Sequence, residues 1–149
     1  MIRLAAIEDA STVAALLDAF NREFNTPTPG PAVLSVRLTR LLGEAATYAV
    51  LADDPAVGVA LVSMRTNVWT DGLVALLDEL YVAPEHRNRG LGTALLALAE
   101  QTARERGCAW LEINVDGEDV DARRFYERHG YRDRDAGQTE AQLYYARDL

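Results

Sequence analysis

Leu73–Val82, LVALLDELYV, is an apolar run with the length and side-chain character of a strand, and Pro84 ends it. After the polar stretch EHRNRG, residues Leu91, Leu95, Leu98 and Thr102 recur at helical spacing. The basic residues and glycine of RERG close that helix near Arg106. A second apolar run, CAWLEINV, follows at once. Strand, helix and strand in this order are expected to form a right-handed parallel crossover from Leu73 to Val115.

The rest of the chain must complete a sheet around that unit. IRLAA alternates as a first strand, and Val13, Leu16, Leu17 and Phe20 mark a helix. Pro27, Pro29, Gly30 and Pro31 force a loop, and Pro31 suits the first position of a second helix. That helix carries Leu34, Leu38, Leu41 and Leu42 and stops at Gly43. AATYAVLA and AVGVALVSMR read as a hairpin around DDP, with NVWTDG as the next turn. DVDARRFYERHG predicts a short helix with Ala122, Phe125, Tyr126 and His129 on one side. YRDRD and AQLYYARDL predict two final strands. No repeat or long linker interrupts residues 1–149, so one domain is expected: α/β, a mixed sheet covered by helices.

Charge and composition exclude several classes of function. With 15 Lys and Arg against 23 Asp and Glu the net charge is -8, which disfavours nucleic acid and anionic membrane as partners. The single cysteine, Cys108, excludes an internal disulfide and reads as a buried thiol. His86 and His129 lie far apart in no metal motif, so no metal is expected. MIRLAAIEDA lacks the features of a signal peptide and no apolar run reaches membrane length, so a cytoplasmic location is expected.

In this acidic chain, HRNRGLGT stands out. The first amides of a helix have no partner inside it, and the helix dipole adds positive potential there, so an anion lodges readily. Gly90 and Gly92 keep side chains away from those amides, Arg87 and Arg89 add charged donors, and Thr93 adds a hydroxyl. The P-loop pattern fails because no lysine follows Gly92. The dinucleotide fingerprint fails because APEHRNR separates strand from glycine and a third glycine is missing. The same residues would also serve as a plain turn and helix start.

ELYVAPEHRNRGLGTALLALAE resembles the coenzyme-A-binding signature of the GCN5-related N-acetyltransferases (GNAT superfamily), with Arg87, Gly90 and Gly92 at the family's spacing. DARRFYERHGYRD resembles the family's second signature, a short helix bearing Phe-Tyr and ending in Gly and an aromatic. With the element order, the resemblance spans nearly the whole chain. It implies the GNAT-like acyl-CoA N-acyltransferase fold, a mostly antiparallel mixed sheet flanked by helices, and acetyl-CoA (coenzyme A) as cofactor.

The resemblance also implies residue roles. The diphosphate would rest on backbone amides of Arg87, Asn88, Arg89, Gly90, Leu91, Gly92 and Thr93. The pantetheine arm would run along Leu80 and Val82 beside a bulge in that strand, with an amide near Leu80 or Tyr81 facing the acetyl carbonyl. Tyr126 would give a proton to the departing thiolate. Asp119 stands where many members carry a coenzyme-contacting asparagine, so it either alters that contact or caps the helix. Glu79 is favoured over Asp78 as the base that takes the amine proton, and a surface carboxylate is the competing reading. Glu23, Phe24, Asn25, Trp69 and Asp71 would line the acceptor pocket.

The leading expectation is an acetyl-CoA-dependent N-acetyltransferase that transfers acetyl to a primary amine of a small molecule or peptide by direct attack in a ternary complex. The alternatives are an O-acyl or longer-chain acyltransferase, and a non-catalytic acyl-CoA-binding regulatory module. AQLYYARDL at a subunit edge is compatible with a homodimer.

Overall fold

The computed structural model describes residues 1–149, which group into two compact units, Met1–Ile113 and Asn114–Leu149. The first unit holds a sheet of five strands: β1 (Ile2–Leu4), β2 (Thr47–Ala52), β3 (Gly58–Thr66), β4 (Leu73–Val82) and β5 (Cys108–Ile113). They lie side by side in chain order, β1 to β4 antiparallel and β4 to β5 parallel. The helices of this unit are α1 (Ala10–Glu23), α2 (Pro31–Leu42) and α3 (Leu91–Glu105). The parallel pair is therefore the β4–α3–β5 crossover expected from the apolar pattern.

Strand β2 is buried along its whole length, because helices cover both of its faces. Tyr48 donates its hydroxyl hydrogen to Ala99 O of α3 at 2.6 Å, tying α3 to one face. Val62 is the cross-strand partner of Tyr48 and shares that face. On the opposite face Ala49, Leu51, Val59, Leu61 and Tyr81 pack with Val13 and Ala14 of α1 and Leu38 of α2. Leu51, Val59, Val62 and Leu95 lose essentially all their exposure, and each such burial contributes roughly 1.5–3 kcal/mol before entropy is counted.

Side-chain bonds tie the loop between α1 and α2 to α1 at two points. Asp18, nearly buried, accepts from Arg22 Nε at 2.7 Å and from Thr28 Oγ1 at 2.8 Å, and these bonds, Arg22 first, hold its carboxyl below the ordinary range. Asn21 Nδ2 donates to Pro27 O at 2.9 Å, and Pro31 opens α2 as expected.

The second unit contains one helix, α4 (Val120–Arg128), and no strand. Neither YRDRD nor AQLYYARDL forms the strand that its alternation predicts. A strand needs a neighbour for its amides. Leu143, Tyr144 and Tyr145 are instead at least 72% exposed, and the tail is anchored by Gln142 N donating to Asp133 O.

Candidate coenzyme and catalytic site

The register of β3 against β4 shifts once. Leu61 pairs with Glu79 and Val62 with Leu77, so Asp78 is an extra residue: a β-bulge in β4, in the strand where the resemblance called for one. Pairing of β4 with β5 ends at Leu77–Ile113. Beyond it, residues 78–82 have β3 on one side and no strand partner on the other.

Hydrogen-bond alternation decides which peptide groups face that open edge. Ala83 N donates to Val57 O at 2.8 Å, so Ala83 and, two residues back, Tyr81 bond toward β3. Leu80 and Val82 then present their N–H and C=O outward. Val82 bears this out independently, since its carbonyl accepts from Arg87 Nε at 2.9 Å. Of the two amides near the expected acetyl position, Leu80 N–H faces the open edge and Tyr81 N–H faces β3.

At the top of β4 a short 3-10 turn, Pro84–His86, leads into the glycine loop. Asn88 and Gly90 take positive φ of 59° and 79°, and Gly90 is the N-cap of α3. A Cβ at Gly90 would meet no protein atom within 4 Å, so its backbone conformation, not crowding by the protein, calls for glycine. The first intrahelical bond runs from Ala94 N to Gly90 O at 3.0 Å, so the amides of Leu91 and Gly92 point out of the helix end. Arg89 is exposed beside them. The Arg87 guanidinium is committed elsewhere: it donates through one terminal nitrogen to both Glu23 oxygens, at 2.9 and 2.6 Å. Glu23, expected to meet the acceptor, is thus paired with a residue expected to meet the cofactor.

Glu79 lies on the α1–α2 face of the sheet, where its partner Leu61 and its i+2 neighbour Tyr81 also sit. It is half-buried, and no hydrogen bond or ion pair holds it. Burial first, and then the neighbouring Asp78, push its carboxyl above the ordinary 4.5. The Asp78 side chain is more exposed by area; desolvation pushes its carboxyl above the ordinary range, and nearby Ser63 opposes that push.

The acceptor candidates do not all come together. Phe24 and Asn25 follow directly on α1, with Phe24 edge-on to Phe20 and Phe20 stacked on Tyr81 at 5.1 Å. Trp69 and Asp71 belong to the turn at the other end of β4, in a loop that Asn67 braces through Trp69 N, Thr70 and Gly72. Six strand residues separate that turn from Glu79, roughly 20 Å at the usual rise. Trp69 and Asp71 cannot touch the amine that Glu79 touches unless the acceptor is long. The residues that do share the face of Glu79 are the row Ser63–Leu76–Glu112. Sequence reading missed them because a bulge resets the alternation and leaves no mark in composition.

In the second unit Tyr126 stands edge-on to Phe125 at 5.1 Å and to Tyr131 at 5.8 Å. Asp119 caps α4, its Oδ1 accepting from Ala122 N at 2.9 Å, which is the capping alternative raised above. The Cys108 thiol is pushed up by burial, which disfavours the thiolate a covalent route needs.

An open strand edge beside a bulge, leading to a glycine-hinged helix start, is the arrangement that the resemblance to acyl-CoA-dependent acyltransferases called for. The chain belongs to the acetyltransferase (GNAT) family, whose sequence profile matches residues 13–131 and whose acyl donor is acetyl-CoA. It is 51% identical to an acetyltransferase candidate from Arthrobacter sp. FB24 of known crystal structure, with a TM-score of 0.94 over 100% of this chain and 96% of that one. It is 33% identical over 82 residues, 55% of this chain and 53% of the relative, to the aminoalkylphosphonate N-acetyltransferase of Salmonella typhimurium. The chain thus spans about half the length of that curated relative. The fold is shared, at 18% identity and TM-score 0.74 with full coverage of both chains, by an aminoglycoside N-acetyltransferase, AAC(6')-Iy, crystallised with CoA. No helix is long and apolar enough to cross a membrane.

Proposed function

We propose that this protein is an acetyl-CoA-dependent N-acetyltransferase that acetylates a primary amine of a small molecule or peptide by direct attack. The observation that carries the reading is the Leu80–Val82 edge of β4, which no second strand pairs and which runs from the Asp78 bulge to the glycine-hinged start of α3. The residues fit the coenzyme: the outward peptide groups of Leu80 and the Val82 N–H suit the pantetheine arm, and the amides of Asn88 through Thr93 suit the diphosphate. Acetyl-CoA bound there supplies the activated acyl group. Glu79 would take the proton from the attacking amine nitrogen and Leu80 N–H would donate to the acetyl oxygen; the leaving sulfur would take up a proton, the role that the family resemblance implies for Tyr126. The N–C bond forms as the C–S bond breaks. A half-buried carboxylate with no partner serves turnover better than binding alone, which favours an enzyme over a silent coenzyme-binding module.

The acceptor is a cationic amine by charge: Glu79 and Asp78 face or flank the same side of the sheet in a chain of net charge -8, while Glu112 on that side is paired with Arg65. The names of relatives acting on aminoalkylphosphonates and aminoglycosides agree with a small amine. We place the reaction in the cytoplasm. The exposed tail with Tyr144 and Tyr145 and the unpaired outer edge of β5 support a homodimer.

Acetyl-CoA at about 100 times its Kd should stabilise the fold by about 2.7 kcal/mol, which raises Tm by roughly 5–11 °C for a chain of this size. No shift at saturation rejects the reading. Thiol release across a panel of amines then separates turnover from binding and names the acceptor. Tyr126→Phe should lower kcat about tenfold or more while the Kd for acetyl-CoA stays within about twofold, since only a hydroxyl is lost. Unchanged kcat would return Tyr126 to packing against Phe125 and Tyr131.

A further inference from the structure

Glu23 and Arg87 are 64 residues apart, yet they form the tightest link between the acceptor side of the fold and the coenzyme loop. Glu23 is the last residue of α1, and Phe24 and Asn25 of the acceptor loop follow it. Arg87 is the first residue after the 3-10 turn that carries the glycine loop. Its guanidinium makes a bond to Val82 O on the open β4 edge, a bond to each Glu23 oxygen, and a cation–π approach of 5.7 Å to the Tyr81 ring. Tyr81 in turn stacks on Phe20, one turn before Glu23 on α1. The side chains are only 39% and 24% exposed, so the pair is partly shielded from solvent and salt.

We propose that Glu23 and Arg87 form a clasp that sets the coenzyme loop and couples its occupancy to the order of the loop at residues 24–30. This rests on the reading that coenzyme A binds at residues 88–93. Arg87 keeps its guanidinium on Glu23 and its backbone N–H on Pro84 O at 3.3 Å, and leaves the diphosphate to the amides that follow it. It is a positioning residue: by holding Val82 O and Glu23 at once, it fixes the direction in which Asn88 through Gly92 leave β4. Binding that firms this loop firms the end of α1, and by reciprocity an acceptor that orders residues 24–30 tightens the coenzyme. A competing arrangement has the opposite sign. If Glu23 merely held Arg87 away from the diphosphate, removing the Glu23 charge would free the guanidinium and tighten coenzyme binding.

The test is calorimetric titration of coenzyme A into wild type, Glu23→Gln, Arg87→Met and the double variant, with the melting temperature of each. The clasp requires Glu23→Gln to weaken coenzyme A about fivefold, Arg87→Met to do so by a similar factor, and the double variant to be no worse than about the larger single effect. Hydrogen exchange supplies the second readout. Coenzyme A should protect amides 24–30 in wild type and lose that effect in Glu23→Gln, while protection of 88–93 persists. Tighter binding by Glu23→Gln, unchanged affinity with a lowered melting temperature, or equal protection of 24–30 in both proteins would each overturn the clasp and leave the acetyltransferase reading standing. A wild type that fails to bind coenzyme A would instead remove that reading, and the clasp with it.

Discussion

Replacing Glu79 by glutamine is expected to lower kcat about a hundredfold or more and to erase the acidic limb of the pH–rate profile. The amine must lose a proton to attack, and Glu79 is the carboxyl on the α1–α2 face that nothing else holds. In wild type, activity should fall as the pH drops through the Glu79 pKa. That limb should lie above the ordinary 4.5, because burial and then Asp78 disfavour the charged form. Stability should move the other way. A carboxyl raised on folding binds its proton more tightly in the native state, so stability declines as pH rises from the unfolded value through the folded one. Above that window wild type carries the full cost of an ionised, half-buried group. Glu79→Gln should therefore melt higher than wild type at pH 8, and the difference should vanish toward pH 4. Asp78→Asn should keep the acidic limb, since Glu79 remains to take the amine proton. If the limb instead survives in Glu79→Gln and disappears in Asp78→Asn, the bulge residue is the base.

Much of this frame is legible in the amino acids, and the reason is local. Leu73–Val82, the stripe from Leu91 to Thr102 and the closing RERG each carry a period or a stop signal of their own, so the β4–α3–β5 crossover follows from short-range physics. Gly90 is legible for the same kind of reason, because a positive-φ helix cap selects glycine. Contacts between distant segments leave no such trace. Nothing near Glu23 announces Arg87, and nothing in LVALLDELYV says that Asp78, rather than a neighbour, is the residue left over against β3. The bulge then decides which face Glu79 takes and which amide, Leu80 or Tyr81, looks outward. Trp69 and Asp71 drew notice as an aromatic and an acid in a polar turn, a signal of residue type that ignores the length of β4. AQLYYARDL shows the converse limit: alternation declares a wish to pair, but a partner strand must exist for the wish to be met.

Gly90→Asn is expected to leave Tm within about 2 °C of wild type, because asparagine enters the left-handed region at small cost. The same variant should weaken coenzyme A at least about tenfold, a loss of about 1.4 kcal/mol. These two results together isolate what the glycine is for. The protein leaves the volume beside Gly90 open, with no atom within 4 Å of a Cβ placed there, so a side chain has room in the free protein. That room adjoins the outward amides of Leu91 and Gly92, and an anion large enough to bridge them would occupy it. A side chain at position 90 therefore costs the ligand its place without costing the fold its turn. Gly90→Val adds a β-branched residue at a φ of 79° and should lose stability as well, which marks the difference between strain and exclusion. If Gly90→Asn binds coenzyme A as tightly as wild type, the glycine answers only to backbone geometry. The diphosphate then lies elsewhere, and the helix-end site loses its central support.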